Sequence, residues 1–300
     1  MEMDGQIMAK LEPEGMKRGL SLRLLAFYRS LGRIQAKAGE RIGIPEVRID
    51  SIIARARIEA GLPLLRFDEL EFDFSLLQHT FAQVAIAFGN YPDLFGELPE
   101  SLKVKEANPS LSQEMAKAWF ERSKGPITTG LSEPRGDPII QAIIQAAFHP
   151  FLVAQAKVLL GLVNQERWRR NYCPICGGKP DFAFLDREGG ARWLLCFRCD
   201  SEWLFQRLQC PYCRSQNQND LACYIDPEGI YRLYICEQCH TYIKAIDLRL
   251  TKESLSLPLE RILTLNMDQQ AQENGYRAGH LFGDLTGDSK EGFAQEMVRR

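Results

Sequence analysis

The chain has 300 residues, room for two domains, and its 45% hydrophobic and 25% charged residues are ordinary for a soluble globular protein. A formal net charge of −2 supplies no basic field, which excludes functions resting on broad attraction to nucleic acid or an anionic membrane. The opening Met1-Glu2-Met3-Asp4 is acidic where a secretory signal needs basic residues before an apolar core, so a cytoplasmic setting is expected.

Residues 1–17 read as frayed. Over 20–36, Leu24, Phe27, Leu31 and Ile34 recur on one helical face. A second helix is expected over 47–59, ended by Gly61 and Pro63. A third, over 74–88, carries the stripe Leu77, Phe81, Val84, Ala85 and Phe88 and stops at Gly89-Asn90-Tyr91-Pro92. A fourth starts near Pro109, with Asn108 as its cap, and runs to Ser123; residues 125–136 are loop-like. Asp137-Pro138 then gives a cap with proline at the first helical position, opening a helix to Arg170 with a kink at Pro150. The apolar run 139–163 is broken by Gln141, Gln145, His149, Pro150, Gln155 and Lys157, which argues against a membrane span and for a buried helix. The first 170 residues are thus an all-α domain whose stripes serve its core. The run Arg167-Trp168-Arg169-Arg170 reads as a solvated helix end, its charges complementing the helix dipole, before a nucleic-acid contact.

The next stretch concentrates the chemistry. Eight of nine cysteines fall in four Cys-x-x-Cys pairs, Cys173/Cys176, Cys196/Cys199, Cys210/Cys213 and Cys236/Cys239. In a cytoplasmic chain such clusters read as metal ligands, not disulfides, and the spacing is that of a four-thiolate site twice over. The stretch is also duplicated. Shifted by 40 residues, Leu185-Asp186-Arg187-Glu188-Gly189 lies on Ile225-Asp226-Pro227-Glu228-Gly229, Arg192 on Arg232, Cys196 on Cys236, Cys199 on Cys239, and Ser201 on Thr241. The leading pair matches at a shift of 37, so the second copy carries three extra residues.

Each copy pairs two short aromatic and branched runs around a turn, 182–185 with 192–195 and 222–225 with 231–235, which is a hairpin signal. A unit of about 40 residues buries too little apolar surface to fold on a hairpin alone. A metal tying two cysteine turns together supplies the missing stability, and four sulfurs in a tetrahedron suit zinc or a single iron. Two metal ions per chain, Fe or Zn, are therefore expected. The duplication favours sequential sites, Cys173, Cys176, Cys196 and Cys199 in one, Cys210, Cys213, Cys236 and Cys239 in the other. Cys223 lies opposite Ala183 between the copies and reads as a small buried residue. Cys236-Glu237-Gln238-Cys239-His240 matches the haem-attachment pattern, but its cysteines are claimed by the repeat.

Beyond the repeat, 242–250 reads as a strand, 255–272 as helical or irregular, and 283–300 as a polar, disordered tail. The expected division is a helical domain 1–170, a first metal module 171–208, a second module 209–250 and a C-terminal tail 251–300. With apolar stripes of its own, the helical domain is expected to keep its fold if the first module is undone. No nucleophile triad, phosphate loop or paired acid motif stands out, which favours a binding protein over an enzyme.

The order of features resembles a known family. A helical region precedes Cys173-Pro174-Ile175-Cys176-Gly177-Gly178-Lys179-Pro180, then Leu195-Cys196-Phe197-Arg198-Cys199 with Trp203 after it. Next come Cys210-Pro211-Tyr212-Cys213, Cys236-Glu237-Gln238-Cys239 followed by Tyr242 and Lys244, and Thr264-Leu265-Asn266-Met267-Asp268 with Ala271-Gln272-Glu273-Asn274-Gly275-Tyr276. Together these resemble the formate dehydrogenase accessory protein FdhE family over roughly residues 20–280. The resemblance implies an α+β fold, an all-α N-terminal domain followed by two tandem rubredoxin-like or zinc-ribbon-like β-hairpin metal modules. It implies a cytoplasmic maturation factor that binds the catalytic subunit of a molybdenum or tungsten formate dehydrogenase and is needed for its activity. Alternatives are a rubredoxin-like protein passing electrons to that client, and a zinc-ribbon nucleic-acid binder. The third pair departs from the family pattern with Arg214 where glycine is expected, and His240 follows the fourth; ligation is expected to survive both.

Overall fold

The computed structural model describes residues 5–46, 49–103, 109–122, 137–251, 255–280 and 298–299. The loop expected at 125–136 and the cap expected at Asn108 lie outside them. The helical region runs α1 (Gly5–Lys17), α2 (Leu22–Ile42), α3 (Ser51–Ala60), α4 (Phe74–Gly89), the short α5 (Pro92–Phe95), α6 (Gln113–Arg122) and α7 (Pro138–Leu159). Short polar side chains fix the helix starts. Ser21 accepts from the Leu24 N–H, Asp50 from Ile52, Asp73 from Ser75 and Leu76, and Asp137 from Ile139. Each thereby partners an N–H that the helix itself leaves free.

The predicted stripe on α4 is the one the core uses: Leu77, Phe81, Val84, Ala85 and Phe88 are all buried, between α2 and α7. By length and composition α7 could cross a membrane, but 78% of its apolar window is buried inside this protein. The helix continues through Pro150. Proline cannot donate to the carbonyl four residues back, and Gln35 Nε2 fills that vacancy at 2.9 Å from the Ala146 oxygen.

Two expectations need correction. Residues 5–17 form a helix, because Leu11 packs with Leu20 and Leu25 against Leu259, Ile262 and Leu263 from the far end of the chain. And α7 does not reach Arg170: after a 3-10 turn (Leu160–Leu162) Val163 is extended, and the Asn164 carbonyl oxygen of the side chain accepts from the N–H groups of Glu166 and Arg167. The basic run is therefore no helix end. Trp168 within it is fully buried and donates to the Tyr172 carbonyl at 2.8 Å.

The strands are β1 (Pro180–Leu185), β2 (Arg192–Cys196), β3 (Glu202–Leu204), β4 (Leu221–Ile225), β5 (Tyr231–Cys236), β6 (Thr241–Asp247), β7 (Arg277–Ala278) and β8 (Val298–Arg299). The duplication is visible in register. Leu185 pairs with Arg192 in the first hairpin and Ile225 with Arg232 in the second; Ala183 pairs with Leu194, and Cys223 with Tyr234. The turns match as well, with Asp186 N–H bonded to the Ala191 carbonyl and Asp226 N–H to that of Tyr231. The three extra residues of the second copy fall in a loop holding a 3-10 turn (Gln218–Asp220).

The copies fuse into one sheet of order β3-β2-β1-β6-β5-β4-β8, with β7 also on β6. The junction is parallel, Phe182 on Lys244 through Leu185 on Asp247. It is possible because β6 has seven residues where its counterpart β3 has three. Its first residues, Thr241 and Tyr242, pair β7, and Lys244 to Asp247 remain for β1. After β6 come α8 (Leu257–Leu263) and α9 (Leu265–Glu273). Of the tail expected to be disordered, Val298–Arg299 forms β8 against β4, and the rest lies outside the described residues.

Candidate metal centres

The structure gathers the eight predicted cysteines into two groups of four, Cys173, Cys176, Cys196 and Cys199, and Cys210, Cys213, Cys236 and Cys239. Within each group all sulfurs lie within 4.8 Å of one another, in the sequential arrangement. Cys173 and Cys199 sulfurs are 3.6 Å apart and those of Cys176 and Cys196 3.5 Å. In the second group Cys210 to Cys239 is 3.7 Å and Cys213 to Cys236 is 3.6 Å. Four sulfurs held at about 2.3 Å from a central zinc have tetrahedral edges of about 3.8 Å, so the donor sets fit such an ion. All nine cysteines are free of disulfides. Cys223 stays apart, half-buried on β4.

The first three pairs sit on tight turns that point N–H groups at sulfur. The N–H two residues on donates to the thiol: Ile175 to Cys173, Gly178 to Cys176, Arg198 to Cys196 and Tyr212 to Cys210, at 3.3–3.4 Å. The turn then closes back on itself, with the N–H of Gly177, Asp200 and Arg214 donating to the carbonyls of Cys173, Cys196 and Cys210. Closure requires left-handed backbone just after the second cysteine. Gly177 has φ 75°, and Asp200, Arg214 and His240 take φ 53°, 65° and 49° without being glycine. The two residues that depart from the family pattern thus adopt the conformation that glycine would. A hydroxyl completes each group: Ser201 Oγ is 3.2 Å from the Cys199 sulfur and Thr241 Oγ1 2.9 Å from that of Cys239, positions equivalent in the repeat.

By themselves the first four thiols cannot all ionise. Burial raises Cys173, Cys196 and Cys199 well above the ordinary thiol value. Cys176 is desolvated too, but hydrogen bonds from the other three and the charge of Arg198 pull it well below. In the second group the Cys239 thiol draws Cys210 down to about 5, while burial pushes Cys236 up to about 12. A divalent cation at the centre would let all four sulfurs become thiolates.

The helical region holds the first group from two sides. Leu64 and Leu65 N–H groups donate to the carbonyls of Pro174 and Ile175 at 2.9 and 2.8 Å. From α7, Gln145 donates to the Phe197 carbonyl at 2.9 Å, and His149 Nδ1 is 3.2 Å from that of Arg198. From α8, Arg261 reaches the Cys196 carbonyl and the carboxylates of Asp181 and Asp200, each within 3.0 Å. His149 and Arg261 together hold the Asp200 carboxyl well below its ordinary range despite burial. On the same α8–α9 face Lys244 is buried and paired with Asp268.

Sequence reasoning did not single out Arg198, His149, Asp200 or Arg261. Their partners are far along the chain, and no local pattern marks them.

Comparison with known proteins agrees with this architecture. A family model described as "FdhE, central domain" matches residues 172–207, the first hairpin with both its cysteine turns. A "Protein FdhE homolog" of Stutzerimonas stutzeri is 33% identical over 144 residues, 46% of this chain and 45% of its own. The crystal structure of the FdhE protein from Pseudomonas aeruginosa shares the fold, with a TM-score of 0.53 at 21% identity across 88% of this chain and 90% of that one. A "Protein FdhE homolog" of Aquifex aeolicus is 30% identical over 235 residues, 77% of each chain, and on that relationship the protein belongs to the FdhE family.

Proposed function

We propose that this chain is an accessory factor for formate dehydrogenase maturation, which binds the catalytic subunit of a molybdenum or tungsten enzyme and is needed for its activity. The observation that carries the reading is the family relationship over 77% of the chain. The two four-cysteine groups support it. Cys173, Cys176, Cys196 and Cys199 would hold one ion, Cys210, Cys213, Cys236 and Cys239 the other, zinc or iron, since tetrahedral sulfur suits both. Such an ion supplies folding energy by fixing two turns at once. We read the chain as a binding protein and not an enzyme, and as cytoplasmic, because tetrathiolate sites need reduced thiols.

The test is a strain lacking the gene for this chain. Formate dehydrogenase activity should fall and return when the chain is supplied, and the purified chain should capture the catalytic subunit. Undiminished activity in the deletion strain would overturn the reading.

A further inference from the structure

The two sites share a turn geometry but not an environment. At the first, the four cysteines are at most 1% exposed. At the second, Cys213 and Cys239 are partly open to solvent, beside the exposed Gln238 and His240. The contrast continues in the residue just before the last cysteine of each copy.

In the first copy that residue is Arg198, only 2% exposed. Its side chain leaves past the Cys196 sulfur, so close that a Cβ on Gly178 would lie 2.7 Å from Arg198 Cδ and 3.1 Å from that sulfur. The guanidinium lies 4.0 Å from the centre of the Trp119 ring, and Nη1 donates to the Phe120 carbonyl at 3.2 Å. Nε and Nη2 have no hydrogen-bond partner among the described residues. A buried cation in that condition is costly unless an anion faces it. Four thiolates around a divalent ion carry a net charge of about −2, the anion this position lacks. At the second site the equivalent residue is the neutral Gln238, whose Oε1 lies 3.9 Å from the Cys213 sulfur. A cation beside its turns is Arg277, exposed at the rim, whose Nη2 donates to the Cys239 carbonyl at 3.4 Å.

We propose that the two sites differ in kind: the Cys173 site, charge-compensated by Arg198 and closed to solvent, keeps its ion permanently, whereas the Cys210 site is an exchangeable site for a thiophilic divalent cation. This rests on the two-metal reading above. Ligand exchange begins when an incoming ligand reaches the ion or a bound sulfur. At the second site Cys213 and Cys239 give that approach; at the first, core side chains and the Arg198 guanidinium close it. Arg198 is a positioning residue for the first ion, and the second site is where a partner's thiol could meet metal.

The experiment uses the full chain loaded with zinc and challenged with excess EDTA plus iodoacetamide, sampled over time by metal analysis and by mass spectrometry of labelled peptides. One equivalent should leave roughly tenfold or more faster than the other, with Cys210, Cys213, Cys236 and Cys239 labelled while the first four cysteines stay protected. Arg198→Met should speed the slow phase roughly tenfold or more and leave the fast phase unchanged. Both equivalents leaving together, first-site cysteines labelled first, or a slow phase indifferent to Arg198→Met would overturn the proposal while the two-metal reading stood. A chain that takes up fewer than two equivalents would overturn both. The wild-type comparison decides the matter even if the variant fails to fold.

Discussion

Arg214 holds φ at 65°, a region that costs an L residue roughly 1–2 kcal/mol and glycine almost nothing. It stays there because the turn after Cys213 must close its hydrogen bond to the Cys210 carbonyl, at 3.1 Å. Among the described residues the non-glycine positions with positive φ are Asp200, Arg214 and His240, each directly after the second cysteine of a pair. Backbone strain is thus confined to the sulfur turns. At 200, Asp200 uses its carboxylate to bind His149 and Arg261, so that strain serves packing. Arg214 is exposed; burial lowers the Lys179 ammonium, and the charge of Arg214 adds to that. Arg214→Gly should therefore stabilise the protein by about 1 kcal/mol with metal content unchanged, read from the urea midpoint and metal analysis. A lowered midpoint would show that the arginine makes a contact worth more than its strain. The cysteine positions were legible in the sequence because thiolate ligation demands local spacing. Arg198 and Arg261 were not, because a buried arginine is defined by partners such as Phe120, Asp181 and Asp200, brought close only by the fold.

The same division runs through the elements. The hairpins could be read from the duplicated runs, and their registers repeat at the expected offset. The parallel joint of β1 to β6 could not, since it pairs Phe182 with Lys244 across three sulfur turns and two hairpin turns, and no local pattern marks such a pairing. Nor could α1, whose Leu11 is buried by residues of α8. Asp247 shows what fixes the joint. It ends β6 opposite Leu185, its carboxylate is fully buried, and it accepts from Arg232 at 2.6 Å and Arg249 at 2.7 and 2.8 Å. Burial alone would raise its carboxyl, but the hydrogen bonds from Arg249 and Arg232 outweigh it and hold the group at about 2. The unfolded chain, with an aspartate value near 3.9, takes up the proton first as pH falls. The stability Asp247 contributes is therefore complete above about pH 4 and is lost as pH drops through 2. Asp247→Asn should cost about 2 kcal/mol at pH 7, and the gap to the parent should narrow from pH 4 downward. Urea titrations at a series of pH values check this; a gap that did not change with pH would mean the loss comes from packing and not from the charge.

At the scale of the whole molecule, the sequence suggested a helical domain with metal modules attached, and the packing is tighter than that. One apolar cluster runs from Phe27, Phe81 and Phe148 through Trp168 and Ile175 to Cys196, Trp203, Ile243 and Ala245. The turn at Cys173 is bonded to Leu64 and Leu65, and the turn at Cys196 to α7 through Gln145 and to α8 through Arg261. The first four-cysteine group therefore lies inside the joint between helices and sheet, not out on a module. Cys196→Ser removes one ligand there, and three thiolates hold an ion weakly while the freed turn loses its grip on α7. The expected result is a chain with one metal equivalent in place of two, whose helical circular dichroism and near-ultraviolet signal melt together at a lower temperature than in the parent. Independent helices would behave otherwise: the helical signal would keep the parent's melting temperature while only the sheet was lost. Cys223→Ser serves as the control, because Cys223 sits on β4 opposite Tyr234 and away from both sulfur groups, so two equivalents and the parent's melting curve should remain. Loss of metal from the Cys223 variant, or none from the Cys196 variant, would mean that the sulfur groups are not the metal sites. A helical transition left unmoved in the Cys196 variant would mean that the shared core does not couple the two halves.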